Sequence, residues 1–308
     1  MCAQPIRGVY PATLTPYTAG GKLNDPLLCE LVEAHLATGV DGFYVGGGTG
    51  EGILQTVEER IEGVRLVTEQ VAGRAQVIAH VGALTTADAA RLAREVAALG
   101  VDAISALPPI FYRVPFDSVL TFYREIAAAA AKPMLAYYIP GLNGITFTGD
   151  EFDRLFAIDH VVGVKFSHGD LFLLQQLVAT HPDAVVMSGN DEIFLSALAA
   201  GAHGSIGLTL NIMPALYVQL YEAFTNGDIT TAQALQAKAN RLIQILVGYG
   251  SGGVGGLKPV MEMIGFDCGV ARPPLPGLDR DARDRLRDQL TEIGFFSDPI
   301  YASWSQRH

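Results

Sequence analysis

Short apolar runs, each followed by a longer amphipathic stretch, recur eight times in the first 225 residues. The runs fall at residues 7–13, 42–46, 76–81, 103–107, 133–138, 161–166, 184–187 and 204–207. Gly, Pro, Asp or Asn stand at or beside most of their ends, as at the ends of strands. The stretches between them read as helices with legible ends. Asn24 or Asp25 opens one that stops at Gly39, Val57-Glu58-Glu59 gives another an acidic first turn, and Thr85 or Thr86 opens a third that Gly100 closes. Roughly 26 residues per unit is the length of a parallel strand with its crossover helix. Eight such units close most economically into a (β/α)8 barrel. An open doubly wound sheet is the alternative, but no Gly-x-Gly-x-x-Gly follows the first run and no Walker-type loop occurs.

The barrel is expected over residues 1–225 and a helical extension over 226–308. The extension should hold three helices, at 230–247, 257–264 and 279–293. A loose glycine-rich hinge runs from Gly248 to Gly256, a proline turn lies at 273–277, and the last dozen residues read as frayed or loosely docked. With 21 Lys and Arg against 32 Asp and Glu, the net charge of −11 argues against nucleic acid or an anionic membrane as a partner. It leaves room for a small anionic substrate in a locally positive pocket. No apolar run reaches the length of a membrane span. The start, Met1-Cys2-Ala3-Gln4-Pro5, lacks the pattern of a signal peptide. Cys2, Cys29 and Cys268 form no readable disulfide framework or metal site, and they fit a reducing, cytoplasmic setting.

In a barrel, reactive groups gather at the carboxyl ends of the strands. The sixth run ends Val164-Lys165-Phe166, and a lysine inside a buried strand is unusual unless its amine is used. Such an amine can attack a carbonyl and form a Schiff base; the plainer reading is a strand-end lysine reaching to water. Gly46-Gly47-Gly48-Thr49-Gly50-Glu51 closes the second strand, and its open N–H groups suit a carboxylate or phosphate. Tyr137 and Tyr138 end the fifth strand on opposite faces, so only one can point into the mouth. Asp191 and Glu192 follow Gly189-Asn190, either as first-turn acids of a helix or as ligands for substrate hydroxyls. His80, His168 and His203 are too scattered for a metal site, and His80 reads as structural. The chemistry inferred needs no metal and no cofactor.

Gly46 to Glu51, Tyr137-Tyr138-Ile139-Pro140, Gly163-Val164-Lys165 and Gly189 to Glu192, at this spacing, resemble the pyruvate-dependent class I aldolases. That family includes dihydrodipicolinate synthase and N-acetylneuraminate lyase, and the likeness covers essentially the whole chain. It implies a (β/α)8 barrel with three C-terminal helices, usually a homotetramer built as a dimer of dimers. It implies a Schiff base between Lys165 and the keto carbon of pyruvate, proton transfer by Tyr137, and a pyruvate carboxylate held by Thr49 and Gly50. Tyr112 resembles the tyrosine that reaches across the tight dimer into a neighbour's site. Further substrate contacts are implied at Gly48, Gly189, Asp191, Glu192, Gly207 and Leu208.

The lyase branch is the closer likeness. Asp191-Glu192-Ile193-Phe194 and Asn211-Ile212-Met213 resemble its pattern, and Gly141-Leu142-Asn143-Gly144 lacks the arginine usual in the synthases. Two positions depart from that pattern. Gly48 stands where the family usually carries Ser or Thr, and Leu208 where lyases commonly carry Ser. The expected activity is reversible cleavage of a 4-hydroxy-2-keto acid to pyruvate and an aldehyde, in the manner of N-acetylneuraminate lyase. Alternatives are an aldolase for 2-keto-3-deoxy sugar acids or aromatic aldehydes, a dihydrodipicolinate synthase-like enzyme, an imine-using hydratase or dehydratase, and a pyruvate-binding regulatory protein.

Overall fold

The structure, a computed structural model, describes residues 5–250 and 253–302. The readings of residues 1–4, of 251–252 in the glycine stretch and of 303–308 lie outside the described residues. Eight parallel strands form one sheet: β1 (Gly8–Pro11), β2 (Gly42–Val45), β3 (Gln76–His80), β4 (Ala103–Ala106), β5 (Met134–Tyr138), β6 (Val161–Phe166), β7 (Val185–Ser188) and β8 (Gly204–Gly207). Their order is β1-β8-β7-β6-β5-β4-β3-β2. A parallel bridge between Ala12 and Tyr44, with Thr13 N–H donating to the Tyr44 carbonyl at 2.9 Å, joins β1 to β2 and closes the ring. The expected (β/α)8 barrel is therefore the observed fold, with further helices after it.

Strand alternation divides the apolar residues into two layers. Tyr10, Tyr44, Ile78, Leu135, Met187 and Ile206 fill the barrel. Their neighbours Val9, Phe43, Ile104, Tyr138 and Phe166 face outward into the layer beneath the helices. Local side chains start the helices. The Asn24 side chain accepts from Leu27 N–H at the head of Asp25–Leu36, and Thr56 with Glu59 forms a capping box on Val57–Val71. Thr148 with Glu151 does the same for Gly149–Phe156.

Three readings need correction. The helix whose first turn is expected at Asp191 and Glu192 divides into a 3-10 turn, Asp191–Ile193, and a helix, Phe194–Ala199. Gln236, on the helix Ile229–Val247, bonds both the Asp191 carbonyl and the Leu195 N–H, so a distant side chain supports this junction. The short C-terminal helix begins at Val254, earlier than expected, and runs to Met263. The tail is anchored at least as far as Tyr301, which is buried in the turn Pro299–Ala302 and donates its hydroxyl to the Lys238 carbonyl at 3.0 Å.

Candidate active site

Lys165 is the inward residue next to the end of β6, and only 4% of it is exposed. It pairs in register with Tyr137 on β5 and Met187 on β7. Its Nζ lies 4.1 Å from the centroid of the Tyr44 ring and 4.3 Å from that of Tyr137. The two phenol rings meet edge to face, 6.2 Å apart. Lys165 makes no ion pair among the described residues. Its amine is thus held by aromatic faces rather than by a carboxylate.

The paired tyrosines separate as alternation requires. Tyr137 points inward to Lys165, whereas Tyr138 packs outside with Phe147, Phe152 and Phe166. Tyr44 donates its hydroxyl to Ser105 Oγ at 3.1 Å. Burial, and then the nearby Tyr137 phenol, push its pKa well above the ordinary tyrosine value. Its hydroxyl therefore stays protonated at neutral pH and forms a fixed wall beneath the lysine. His80 is likewise structural in geometry. Leu107 N–H donates to its Nε2 at 3.2 Å, and the buried Arg60 guanidinium reaches both its carbonyl, at 2.6 Å, and Gly82 O, at 2.8 Å. Burial, then the Arg60 and Lys165 charges, hold His80 well below its usual pKa, so the ring is neutral.

Beyond β2 the chain folds into the glycine nest. Glu51 N–H returns to Gly48 O and Gly52 N–H to Gly47 O, each at 3.0 Å. Among the described residues, the N–H groups of Gly48, Thr49 and Gly50 and the Thr49 hydroxyl take no hydrogen bond within the chain. The Gly50 carbonyl is gripped by Thr15 Oγ1 at 2.7 Å and Gln55 Nε2 at 2.8 Å. The turn is thus fixed while its donors stay open, which is the arrangement of an anion site. Gly48 is exposed, and a Cβ there would meet nothing within 4 Å.

Asp191 is buried, not a solvent-facing first-turn acid. Its Oδ2 accepts from the Thr209 N–H and hydroxyl, each at 2.7 Å, while Oδ1 has no hydrogen-bond partner. Burial raises its pKa from 3.8 to about 6, against the lowering effect of the Thr209 bonds. Glu192 is exposed and accepts from Asn190 Nδ2 at 2.8 Å. Gly189 and Gly207 leave space for neighbours. A Cβ at Gly207 would fall 1.8 Å from Asp191 Oδ1, and one at Gly189 would fall 1.8 Å from Ser167 Oγ. Leu208 is half-buried, and its Cδ atoms would lie 3.4 Å from a Cβ placed on Gly253. Tyr112 stands apart from this cluster, 73% exposed on the loop after β4, with its ring edge-on to Phe111 at 5.0 Å.

Two residues of the cluster were not singled out from the sequence. Tyr44 is inward by the alternation of β2, and Ser167 lies two positions beyond Lys165, on the parity that would carry it inward. Ser167 Oγ is buried without a partner. Among the described residues, no three His, Cys, Asp or Glu side chains converge as a metal-binding group, and no helix is long and apolar enough to cross a membrane.

A buried lysine and tyrosine facing each other near the carboxyl ends of barrel strands can support imine chemistry at a carbonyl. The comparisons with known proteins agree. The chain belongs to the dihydrodipicolinate synthetase family, which it matches over residues 5–293. It is 40% identical over 294 residues to the N-acetylneuraminate lyase of Enterobacter sp. (strain 638), covering 92% of this chain and 98% of that one. A structure of the Ruminococcus gnavus sialic acid aldolase, a catalytic lysine mutant, superposes with a TM-score of 0.90 at 31% identity. It covers 94% of this chain and 95% of that one. CdNal from Clostridium difficile, solved in complex with mannosamine, also gives 0.90 at 29% identity, over 94% and 100% of the two chains. Family and fold are those of pyruvate-dependent Schiff-base aldolases, with the lyase branch the nearer.

Proposed function

We propose that this chain is a Schiff-base aldolase that cleaves a 4-hydroxy-2-keto acid reversibly to pyruvate and an aldehyde, with N-acetylneuraminate as the leading substrate. The observation that carries it is the placement of Lys165 Nζ between the Tyr44 and Tyr137 rings, near the carboxyl end of β6. The lysine amine attacks C2 of the substrate, and water leaves as the imine forms. Tyr137, whose own proton has left with the water of imine formation, takes the proton of the 4-hydroxyl as a phenolate while the C3–C4 bond breaks, and the electron pair passes into the iminium nitrogen to give an enamine. The aldehyde departs, a proton returns to C3, and water hydrolyses the new imine to release pyruvate and free Lys165.

The open donors at Gly48, Thr49 and Gly50 receive the substrate carboxylate and fix the reacting carbons over the lysine. Asp191 Oδ1, buried and without a hydrogen-bond partner, accepts from a hydroxyl of the sugar chain, and Glu192 lies beside it on the more open side. Gly189 and Gly207 shape this pocket through the space they leave. Exposed Tyr112 completes a neighbour's site across a tight dimer, within a homotetramer assembled as a dimer of dimers.

A second substrate class is favoured by Gly48 and Leu208. An open gap at one and an aliphatic side chain at the other offer no hydroxyl partner and fit a shorter or less polar aldehyde. The test is pyruvate release from N-acetylneuraminate, 2-keto-3-deoxygluconate and a hydroxybenzylidene pyruvate in parallel. Release from the first supports the leading assignment. Release from either other substrate alone keeps the lysine chemistry and moves the substrate. No release from any, with no imine trapped, would overturn the aldolase reading.

A further inference from the structure

Directly after the nest stands Glu51, whose backbone is left-handed at φ 57° and whose side chain is wholly buried. Its carboxylate is held by the C-terminal extension. Lys258 Nζ, on the helix Val254–Met263, lies 2.7 Å from Oε1 as an ion pair, and Arg272 N–H donates to Oε2 at 2.6 Å. Lys258 is itself 2% exposed, and its ammonium sits 4.2 Å from the centroid of the Tyr17 ring. The Arg272 guanidinium covers Tyr17 at 4.3 Å and is paired with Glu59 through two bonds, at 2.5 and 2.7 Å. The Tyr17 hydroxyl accepts from Gln55 Nε2, the same nitrogen that grips the Gly50 carbonyl. Three of these contacts, from Lys258 Nζ, the Arg272 N–H and Gln55 Nε2, end on the turn that carries the open N–H donors.

A buried charge pair fixes geometry because either partner alone is left uncompensated. A left-handed glutamate needs such an external hold. We infer that Lys258 and Glu51 are positioning residues: their ion pair locks the aim of the Gly48–Gly50 donors, so the C-terminal extension sets the affinity for the 2-keto-acid carboxylate. This rests on the carboxylate-binding role proposed above for the nest. Lys258 reaches the turn through Glu51 and through the Tyr17 ring, and it also donates to the Val270 carbonyl at 3.3 Å.

The test is borohydride trapping of pyruvate, followed by intact mass as a function of pyruvate concentration, with melting temperature in parallel. The variants are Glu51→Gln and the neutral double variant Glu51→Gln/Lys258→Met, the latter removing both charges so that neither is stranded. The expected result is a rise of about tenfold or more in half-saturating pyruvate in every variant that folds, with the saturating trapping rate within about twofold of the parent. The double variant should recover most of any lost melting temperature and still show the raised half-saturation. Half-saturation within twofold of the parent in the folded double variant would overturn the inference, because the pair would then serve stability alone. Failure of both variants to fold would overturn it in the same way. Absence of trapping in the parent chain would instead count against the Schiff-base reading itself, so the two failures are separable.

Discussion

Tyr137 and Lys165 stand in register on adjacent strands β5 and β6, with the lysine Nζ 4.3 Å from the phenol ring centroid. A carbon joined to Nζ would lie beside that ring, and the role proposed for the tyrosine is both wall and proton carrier. Tyr137→Phe separates the two roles. The ring stays and the hydroxyl goes. Imine trapping with pyruvate should persist, while aldol cleavage should fall by about 10²–10⁴-fold. Equal loss of trapping and cleavage in a folded variant would assign the residue to shaping the pocket instead.

Gly207 and Gly48 make a contrasting pair. A methyl at Gly207 would meet Asp191 Oδ1 at 1.8 Å, whereas one at Gly48 would meet nothing within 4 Å. Gly207→Ala is predicted to cost about 1–3 kcal/mol in urea unfolding, because Asp191 cannot retreat without releasing Thr209. Gly48→Ala should stay within about 0.5 kcal/mol of the parent.

Asp191 gives a pH signature with a definite sign. Its folded pKa, about 6, lies above the ordinary 3.8. Between those values the native chain keeps a proton that the unfolded chain has released, so stability falls as pH rises through this window. The deficit is complete above pH 6, at roughly 3 kcal/mol for this group. In Asp191→Asn that component is absent, and urea midpoints at pH 4 and pH 7 should differ less than in the parent. Cleavage of a hydroxylated substrate should show KM rising as pH drops below 6, with a flatter profile in the variant. Unchanged profiles would remove Asp191 from the hydroxyl site.

Specificity should respond at Gly48 and Leu208. Gly48→Ser has room for its hydroxyl, and Leu208→Ser replaces a half-buried aliphatic wall with a donor. Each should raise kcat/KM for N-acetylneuraminate relative to 2-keto-3-deoxygluconate by about 3–10-fold, the worth of one net hydrogen bond. A shift in the other direction would show that this chain holds sugar hydroxyls by different groups.

The barrel was legible because its period is local. Each apolar run is bounded within a few residues, and Asn24, Thr56, Thr85 and Thr148 sit at the heads of the helices they cap. Lys165 was legible for the same reason, since a lysine inside a buried strand contradicts its surroundings. Asp191 was ambiguous, because a first-turn acid and a buried acid read alike until Thr209 and Gln236 are seen to close over it. Tyr137 and Tyr138 needed an external frame, because alternation says only that they differ. The partners of Glu51 could not be read at all. Lys258 and Arg272 meet it from 207 and 221 positions further along the chain, and no local pattern marks a pairing made only by closure of the fold.

Incubation of the full chain with pyruvate and borohydride, followed by peptide mass mapping, decides the chemistry. One reduced pyruvate adduct per chain is predicted, on the peptide that carries Lys165, and it should vanish in Lys165→Ala. An adduct on another lysine, an adduct that survives that substitution, or none in the parent would contradict a Schiff base at Lys165.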